Sequence, residues 1–265
     1  MDVSIEGARL HVAVAGTGSP VLLVHGFPFS SAMWEPVARR LVDGGHKVIV
    51  PDLRGFGKST GAPVTSIGTF VDDLLRLLDT LWVTGALPWV GFSMGGYVAL
   101  EAWRRRPDRI GALALVDTRA GADEAPARAA REATAVRVER EGSVIVADSM
   151  LSKLFSPAAS TAQRQAAHGS MTAASPAAVA GALRAMAARP DSTPTLATIN
   201  VRTLVVVGAH DTITPPSDAE VLSQGIPGAR LRVVKDAGHL APLEQPEAVA
   251  EALLEFLANP VGRRR

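Results

Sequence analysis

Short apolar runs alternate with helical patterns through the first half of this 265-residue chain. Residues 20–26, 47–50, 87–92 and 110–116 are too short for helices and rich in β-branched or aromatic side chains, so they read as buried strands. Between them, residues 33–41 fit a short helix that Ser30 or Ser31 can cap. Residues 67–81 form the clearest amphipathic pattern. Phe70, Leu74, Leu77, Leu78 and Leu81 share one stripe, Asp72, Asp73, Arg76 and Asp79 lie off it, and Thr65 or Ser66 stands at the start. Residues 94–106 read as a further helix, stopped by Pro107. Such a rhythm specifies a mainly parallel sheet covered on both faces, here opened by an antiparallel pair at 3–6 and 9–15.

The rhythm breaks near residue 119. No strand pattern is convincing from there to about residue 200, a stretch rich in Ala, Arg, Glu and Ser in which 127–141 and 176–188 have helical propensity. Strand signals resume at 203–208 and 229–234, and a last helix is expected over 246–258. The chain therefore divides into a core of residues 1–118 and 201–265 and a helical cap of residues 119–200. The cap is expected over the sheet's carboxyl edge, where open α/β sheets bind ligands.

Composition excludes several functions. Lys and Arg number 27 against 26 Asp and Glu, a balance that leaves no electrostatic footprint for nucleic acid. The basic run Arg263-Arg264-Arg265 reads as a solvated tail. With no cysteine, disulfide scaffolds, thiolate metal sites and a cysteine nucleophile are all ruled out. The amino terminus lacks the positive start and apolar core of a secretory signal, and no window approaches the ~18–20 apolar residues of a membrane span. A cytoplasmic location without membrane contact is the expectation.

Gly91-Phe92-Ser93-Met94-Gly95 fits G-x-S-x-G, with a buried strand before it and a helix after it. The spacing has a steric reason. A serine on a very sharp strand-to-helix turn is forced into a strained conformation that lifts its Oγ above the sheet, and the strand and helix backbones nearly touch two residues to either side. The helix amino terminus adds partial positive charge beside any oxyanion formed there.

On these residues the chain resembles the α/β-hydrolase family over essentially its whole length. The resemblance implies the α/β-hydrolase fold: a mostly parallel, eight-stranded twisted sheet with helices on both faces and a helical cap insertion. His25-Gly26-Phe27-Pro28 is similar to the family's oxyanion-hole motif, which implies the backbone N–H groups of Phe27 and Met94 as oxyanion donors and a structural imidazole at His25. Asp211, in Gly208-Ala209-His210-Asp211, resembles the family's acid, and Gly238-His239 resembles its closing motif. The order Ser93, Asp211, His239 is the family's own. An imidazole makes a serine hydroxyl nucleophilic by taking its proton, and a buried carboxylate fixes that imidazole's tautomer.

Rivals exist for the acid. Asp117 also ends a strand near the nucleophile, and some members of the family carry the acid there. Asp236 and His210 read as loop residues. Asp52 and Arg54 read as structural. His11, His46 and His168 are isolated, and without paired ligand spacing no metal site is expected.

The resemblance implies a serine hydrolase of carboxylic esters or lactones that works through an acyl-enzyme without a cofactor. The family's dehalogenases and epoxide hydrolases carry aspartate where this chain has Ser93. Aminopeptidase, carbon–carbon bond hydrolase and cofactor-free perhydrolase (haloperoxidase) chemistry stay open, as does a ligand-sensing module that retains the triad. Phe27, Phe29, Met94, Leu240 and the cap's Met150, Leu151, Leu154 and Phe155 are expected to shape the substrate pocket. Neither the oligomeric state nor the natural substrate follows from the sequence.

Overall fold

A computed structural model of the chain describes residues 1–258. The terminal arginine run lies outside the described residues. Nine strands form one sheet: β1 (Asp2–Ile5), β2 (Ala8–Ala15), β3 (Pro20–Val24), β4 (Lys47–Pro51), β5 (Thr60–Gly61), β6 (Leu87–Phe92), β7 (Ile110–Val116), β8 (Arg202–Gly208) and β9 (Arg230–Val234). Eight follow the order β1-β2-β4-β3-β6-β7-β8-β9, and the two-residue β5 joins β2. The expected eight-stranded path is thus present. From β4 to β9 every pair on it is parallel, while β1 and β2 are antiparallel to each other and β2 to β4.

The helices are α1 (Glu35–Asp43), α2 (Ile67–Thr80), α3 (Met94–Arg105), α4 (Ala125–Glu141), α5 (Val144–Leu154), α6 (Thr161–Thr172), α7 (Pro176–Ala187), α8 (Pro216–Gly225), α9 (Ala241–Glu244) and α10 (Pro246–Ala258). One apolar core joins the sheet to α2, α3 and α8, and a second joins it to α1 and α10. The inner parallel strands β3, β6 and β7 are buried on both faces, which is why they read as continuous apolar runs, whereas the edge strand β9 is mostly exposed. None of the described helices is long and apolar enough to cross a membrane.

Local differences from the sequence reading have physical causes. Ser30 makes no capping bond to the first helix, which begins with a 3-10 turn, Ser31–Trp34. The Asp52 carboxylate accepts the Ser31 N–H instead, at 2.7 Å, and the Lys58 N–H at 2.8 Å. At α2 the Ser66 hydroxyl caps the Thr69 N–H. Asp73, expected on the polar face of α2, is buried because Arg54 clamps it with two hydrogen bonds of 2.6 and 2.7 Å. That pair ties the loop after β4 to α2.

Between β7 and β8 run four helices, α4 to α7, where two were expected. α6 is mostly polar, so no apolar stripe announces it, yet Ser160 and Gln163 form a reciprocal capping box at its start.

Parallel register brings several loops to one edge. Phe92 pairs with Val116, Val116 with Val206, and Gly208 with Val234. The residues that follow these strands (Ser93, Asp117, the segment to Asp211 and that to His239) therefore leave the sheet along the same margin.

Candidate active site

Ser93 follows β6 and caps α3 with φ 51° and ψ −114°, a conformation a side chain rarely adopts. The turn holds because its backbone is bonded on both sides. The Ser93 N–H donates to the Val116 carbonyl at 2.9 Å, and the Ser93 carbonyl accepts from the Gly96 N–H at 2.9 Å and the Thr118 hydroxyl at 2.8 Å. A Cβ on Gly91 would lie 2.3 Å from the Gly95 carbonyl oxygen, and one on Gly95 would lie 2.3 Å from that of Val24. Glycine at both positions is what lets strand and helix approach this closely.

The second and third groups arrive on two loops that are bonded to each other. The Ala209 N–H donates to Val234 O and the His210 N–H to Ala237 O, at 2.9 and 2.8 Å. Glu244, which sequence reasoning did not single out, pins the histidine loop from below. Its buried carboxylate accepts the Gly238 N–H at 2.7 Å and the Ser156 N–H at 2.8 Å.

His239 and Asp211 are 2% and 3% exposed. The His239 Nε2 lies 3.0 Å from the Ser93 Oγ, and its Nδ1 lies 2.8 Å from the Asp211 Oδ2. The Phe92 ring rests against the imidazole, centroids 5.3 Å apart. The Asp211 Oδ1 accepts the Ile213 and Thr214 N–H groups, and the Thr214 hydroxyl donates to Oδ2 at 2.7 Å. Burial pushes this carboxyl up, but the His239 hydrogen bond and charge and the Thr214 donors outweigh it and hold its pKa below the ordinary carboxylate value. An anionic Asp211 fixes a proton on Nδ1 and leaves Nε2 free to accept one from Ser93.

The rivals occupy other roles. Asp117 is wholly buried, and its Oδ1 accepts the Gly208 N–H at 2.8 Å. Burial, reinforced by the charge of Asp211, pushes its carboxyl well above the usual range, and its bond goes to the Gly208 N–H while His239 Nδ1 is held by Asp211. Asp236 and His210 are exposed loop residues. His11 pairs with Asp2 and His168 with Asp148. Among the described residues no group of three or more His, Cys, Asp or Glu is arranged to hold a metal ion.

His25 is fully buried and bonded at both ring nitrogens. Nε2 accepts the Leu53 N–H at 2.9 Å, so Nδ1 carries the proton and donates to Gly26 O at 2.9 Å. Burial keeps its pKa below the ordinary 6.5. The folded state therefore refuses a proton that the unfolded chain accepts, and this contribution to stability is constant above pH 6.5 and lost as pH falls below it. Urea titrations at pH 7.5 and 5.5 are expected to show unfolding free energy falling by up to about 1.4 kcal/mol per pH unit from this group. A His25→Asn variant, whatever its absolute stability, loses that slope; an unchanged slope contradicts the assignment.

No protein acceptor takes the N–H of Phe27 or of Met94 among the described residues. Phe27, Ser93 and His239 line a cavity of about 220 Å³, whose other walls include Tyr97, Arg131, Met150, Met186 and Ile213. A larger cavity, about 560 Å³, lies between the 55–61 loop and the junction of α6 and α7 and touches none of Ser93, Asp211 and His239.

Of the expected pocket residues, Phe27 and Met150 meet the Ser93 cavity and the others do not. Phe29 walls the neighbouring grooves on the far side of Pro28. Leu151, Leu154, Phe155 and Leu240 pack into the second apolar core. The reason is helical periodicity: Val146, Ser149 and Met150 share the cavity face of α5, which turns Ala147, Leu151 and Leu154 the other way. Leu240 is held inward by its N–H bond to Leu154 O. Tyr97, one turn beyond Ser93 on α3, was within reach of the same periodic reasoning. Arg131 carried no such signal, because arginines recur all along α4.

The chain belongs to the alpha/beta hydrolase fold family, whose model matches residues 19–246. It is similar to a thermophilic esterase from Thermogutta terrifontis, solved with malate bound, at 42% identity over 95% of this chain and 93% of that one, with a TM-score of 0.93. It is also similar to the enol-lactonase from Burkholderia xenovorans LB400, at 26% identity over 98% of this chain and all of that one, TM-score 0.90. An epoxide hydrolase of Caballeronia sordidicola is 36% identical over 115 residues, 42% of this chain. The chain spans 35% of that relative's length.

Proposed function

We propose that this hydrolase cleaves small carboxylic esters or lactones through an acyl-enzyme on Ser93. The observation that carries the reading is the unbroken row Ser93 Oγ, His239 Nε2, His239 Nδ1, Asp211 Oδ2, with steps of 3.0 and 2.8 Å between side chains. Residues 119–200 act as a cap, since Arg131, Met150 and Met186 reach the cavity from α4, α5 and α7. The likeness to an esterase and an enol-lactonase supports the substrate class. Serine at position 93 argues against the epoxide-opening chemistry of the shorter match, which the family performs with aspartate.

The chemistry runs in two halves. The Ser93 Oγ attacks the carbonyl carbon as its proton passes to the His239 Nε2, and the carbonyl oxygen becomes an oxyanion between the Phe27 and Met94 N–H groups. Loss of one such donor typically costs about 2.7–4 kcal/mol. The carbon–oxygen bond to the alcohol breaks, and the alcohol leaves with the proton from Nε2. Water then gives a proton to Nε2 and adds to the acyl carbon; the Ser93 Oγ departs and recovers the proton. Asp211 stabilises the imidazolium in both halves and is never protonated. The cycle uses no cofactor.

Turnover of 4-nitrophenyl butyrate and of an enol-lactone, run with and without hydrogen peroxide, tests this reading. Multiple turnovers releasing free acid in the absence of peroxide are expected. Turnover that requires peroxide transfers the site to perhydrolysis, and stoichiometric release without further turnover transfers it to ligand sensing.

A further inference from the structure

Among the described residues lining the Ser93 cavity, Arg131 bears the one permanent charge, and no carboxylate lines it. The Arg131 Nε donates to the Asp123 Oδ2, and its Nη1 lies 3.7 Å from the Met186 sulfur. Its Nη2 has no protein acceptor among the described residues, and Arg131 is itself part of the cavity lining.

Behind it stands more positive charge than the protein neutralises. The Asp123 side chain is fully buried and shared by three guanidiniums: Arg131 on Oδ2, with Arg119 and Arg189 on Oδ1 at 2.6 and 2.9 Å. Burial raises this carboxyl, but hydrogen bonds and charge from Arg189 and Arg131 overcome that and hold it well below the usual carboxylate range. It is therefore one full negative charge facing three positive ones. Asp218 attracts Arg119 without contact, which leaves one guanidinium charge unmatched. Arg189 is 6% exposed, and the buried Nε atoms of Arg189 and Arg119 have no partner. The Arg189 guanidinium also lies 4.2 Å from the centroid of the ring of Tyr97, a residue that also lines the cavity. Arg119 and Arg131 stay partly exposed, but an anion in the cavity beside Arg131 offsets this excess of positive charge.

We infer that the site is built for short esters or lactones that carry a free carboxylate, which Arg131 grips while Ser93 attacks the ester carbonyl. A guanidinium fork fits the planar carboxylate better than any other group lining the cavity. At about 220 Å³ the cavity is below the ~300–1,000 Å³ typical of ligand sites, so the substrate is small. This inference rests on the ester-hydrolase reading and specifies its substrate.

The test compares monoethyl succinate with ethyl pentanoate, neutral and of similar size, by proton release in a pH-stat at low ionic strength. Wild-type kcat/KM is expected to favour the anion by about 10- to 100-fold. Arg131→Gln is expected to bring the ratio of the two kcat/KM values down to about one, chiefly by raising KM for monoethyl succinate. Arg131 also binds Asp123, so the variant can lose stability. Inhibition of wild-type ethyl pentanoate hydrolysis by free succinate, weakening as salt is added, gives a second reading that needs no variant. Cleavage of ethyl pentanoate without preference for the anion and without succinate inhibition overturns the inference and leaves the hydrolase standing. Failure to cleave either ester, together with failure of a fluorophosphonate to label Ser93, overturns the hydrolase reading itself.

Discussion

Replacing Ser93 with alanine is expected to lower kcat/KM for an aryl ester by about four to six orders of magnitude while leaving the thermal unfolding midpoint close to wild type. The change removes one atom, the Oγ, whose hydrogen-bond partner in the structure is the His239 Nε2. The backbone bonds that hold the turn, to Val116, Gly96 and Thr118, are made by main-chain atoms that alanine keeps. Strain at φ 51° gives a sharper comparison. Such a residue stores about 1–3 kcal/mol, and glycine adopts positive φ freely. Ser93→Gly is therefore expected to be equally inactive and more stable than Ser93→Ala. Assays of turnover and melting on the three proteins check both statements, and a Ser93→Ala protein that retains catalysis contradicts the nucleophile.

The second large effect is expected at Asp211. Its Oδ1 is fixed by the N–H groups of Ile213 and Thr214, so an asparagine there keeps its carbonyl oxygen on those donors and turns its NH₂ toward His239. The amide then donates to Nδ1, which forces the imidazole proton onto Nε2, where the serine proton has to go. A loss of about 10⁴ in kcat is expected from the wrong tautomer. Asp117→Asn is the control. The Asp117 Oδ1 bond to the Gly208 N–H can be kept by an amide oxygen, and burial already disfavours the charged carboxylate. Turnover of that variant is expected within about tenfold of wild type, since the amide keeps the Gly208 bond and His239 keeps Asp211 as its partner. If Asp117→Asn is the crippling change and Asp211→Asn is mild, the acid has been assigned to the wrong strand end.

What the sequence discloses about this molecule depends on how local the constraint is. The serine turn is legible in part because the contact that demands glycine at 91 lies within five residues, at the Gly95 carbonyl. The strands are legible because burial on both faces leaves unbroken apolar runs. Choosing between Asp117 and Asp211 is a tertiary matter. Both end strands at the same edge, and what separates them is the bonded approach of the 208–211 and 234–239 loops, with Gly208 against the Gly238 carbonyl. The cavity lining is the least legible. Proximity to a motif pointed to Leu240, and apolar character pointed to Leu151, Leu154 and Phe155, whereas side-chain direction is set by the helical turn of α5, a helix the sequence had not disclosed. The polar helix α6 escaped for want of an apolar stripe, although its capping box was there to be read. The charged wall at Arg131 is likewise invisible in one dimension, because Arg119, Asp123, Arg131 and Arg189 meet only when α4 folds beside the end of α7.

The central claim is that Ser93 is the side chain activated by His239 for attack on a carbonyl. Stoichiometric labelling with a fluorophosphonate, mapped by peptide mass spectrometry on wild type and His239→Ala, reads that claim without reference to any natural substrate. One adduct per chain on the peptide containing Ser93 is expected in wild type, forming at least about a thousandfold more slowly in the variant. An adduct on another residue, or labelling of Ser93 at the same rate without the imidazole, contradicts it.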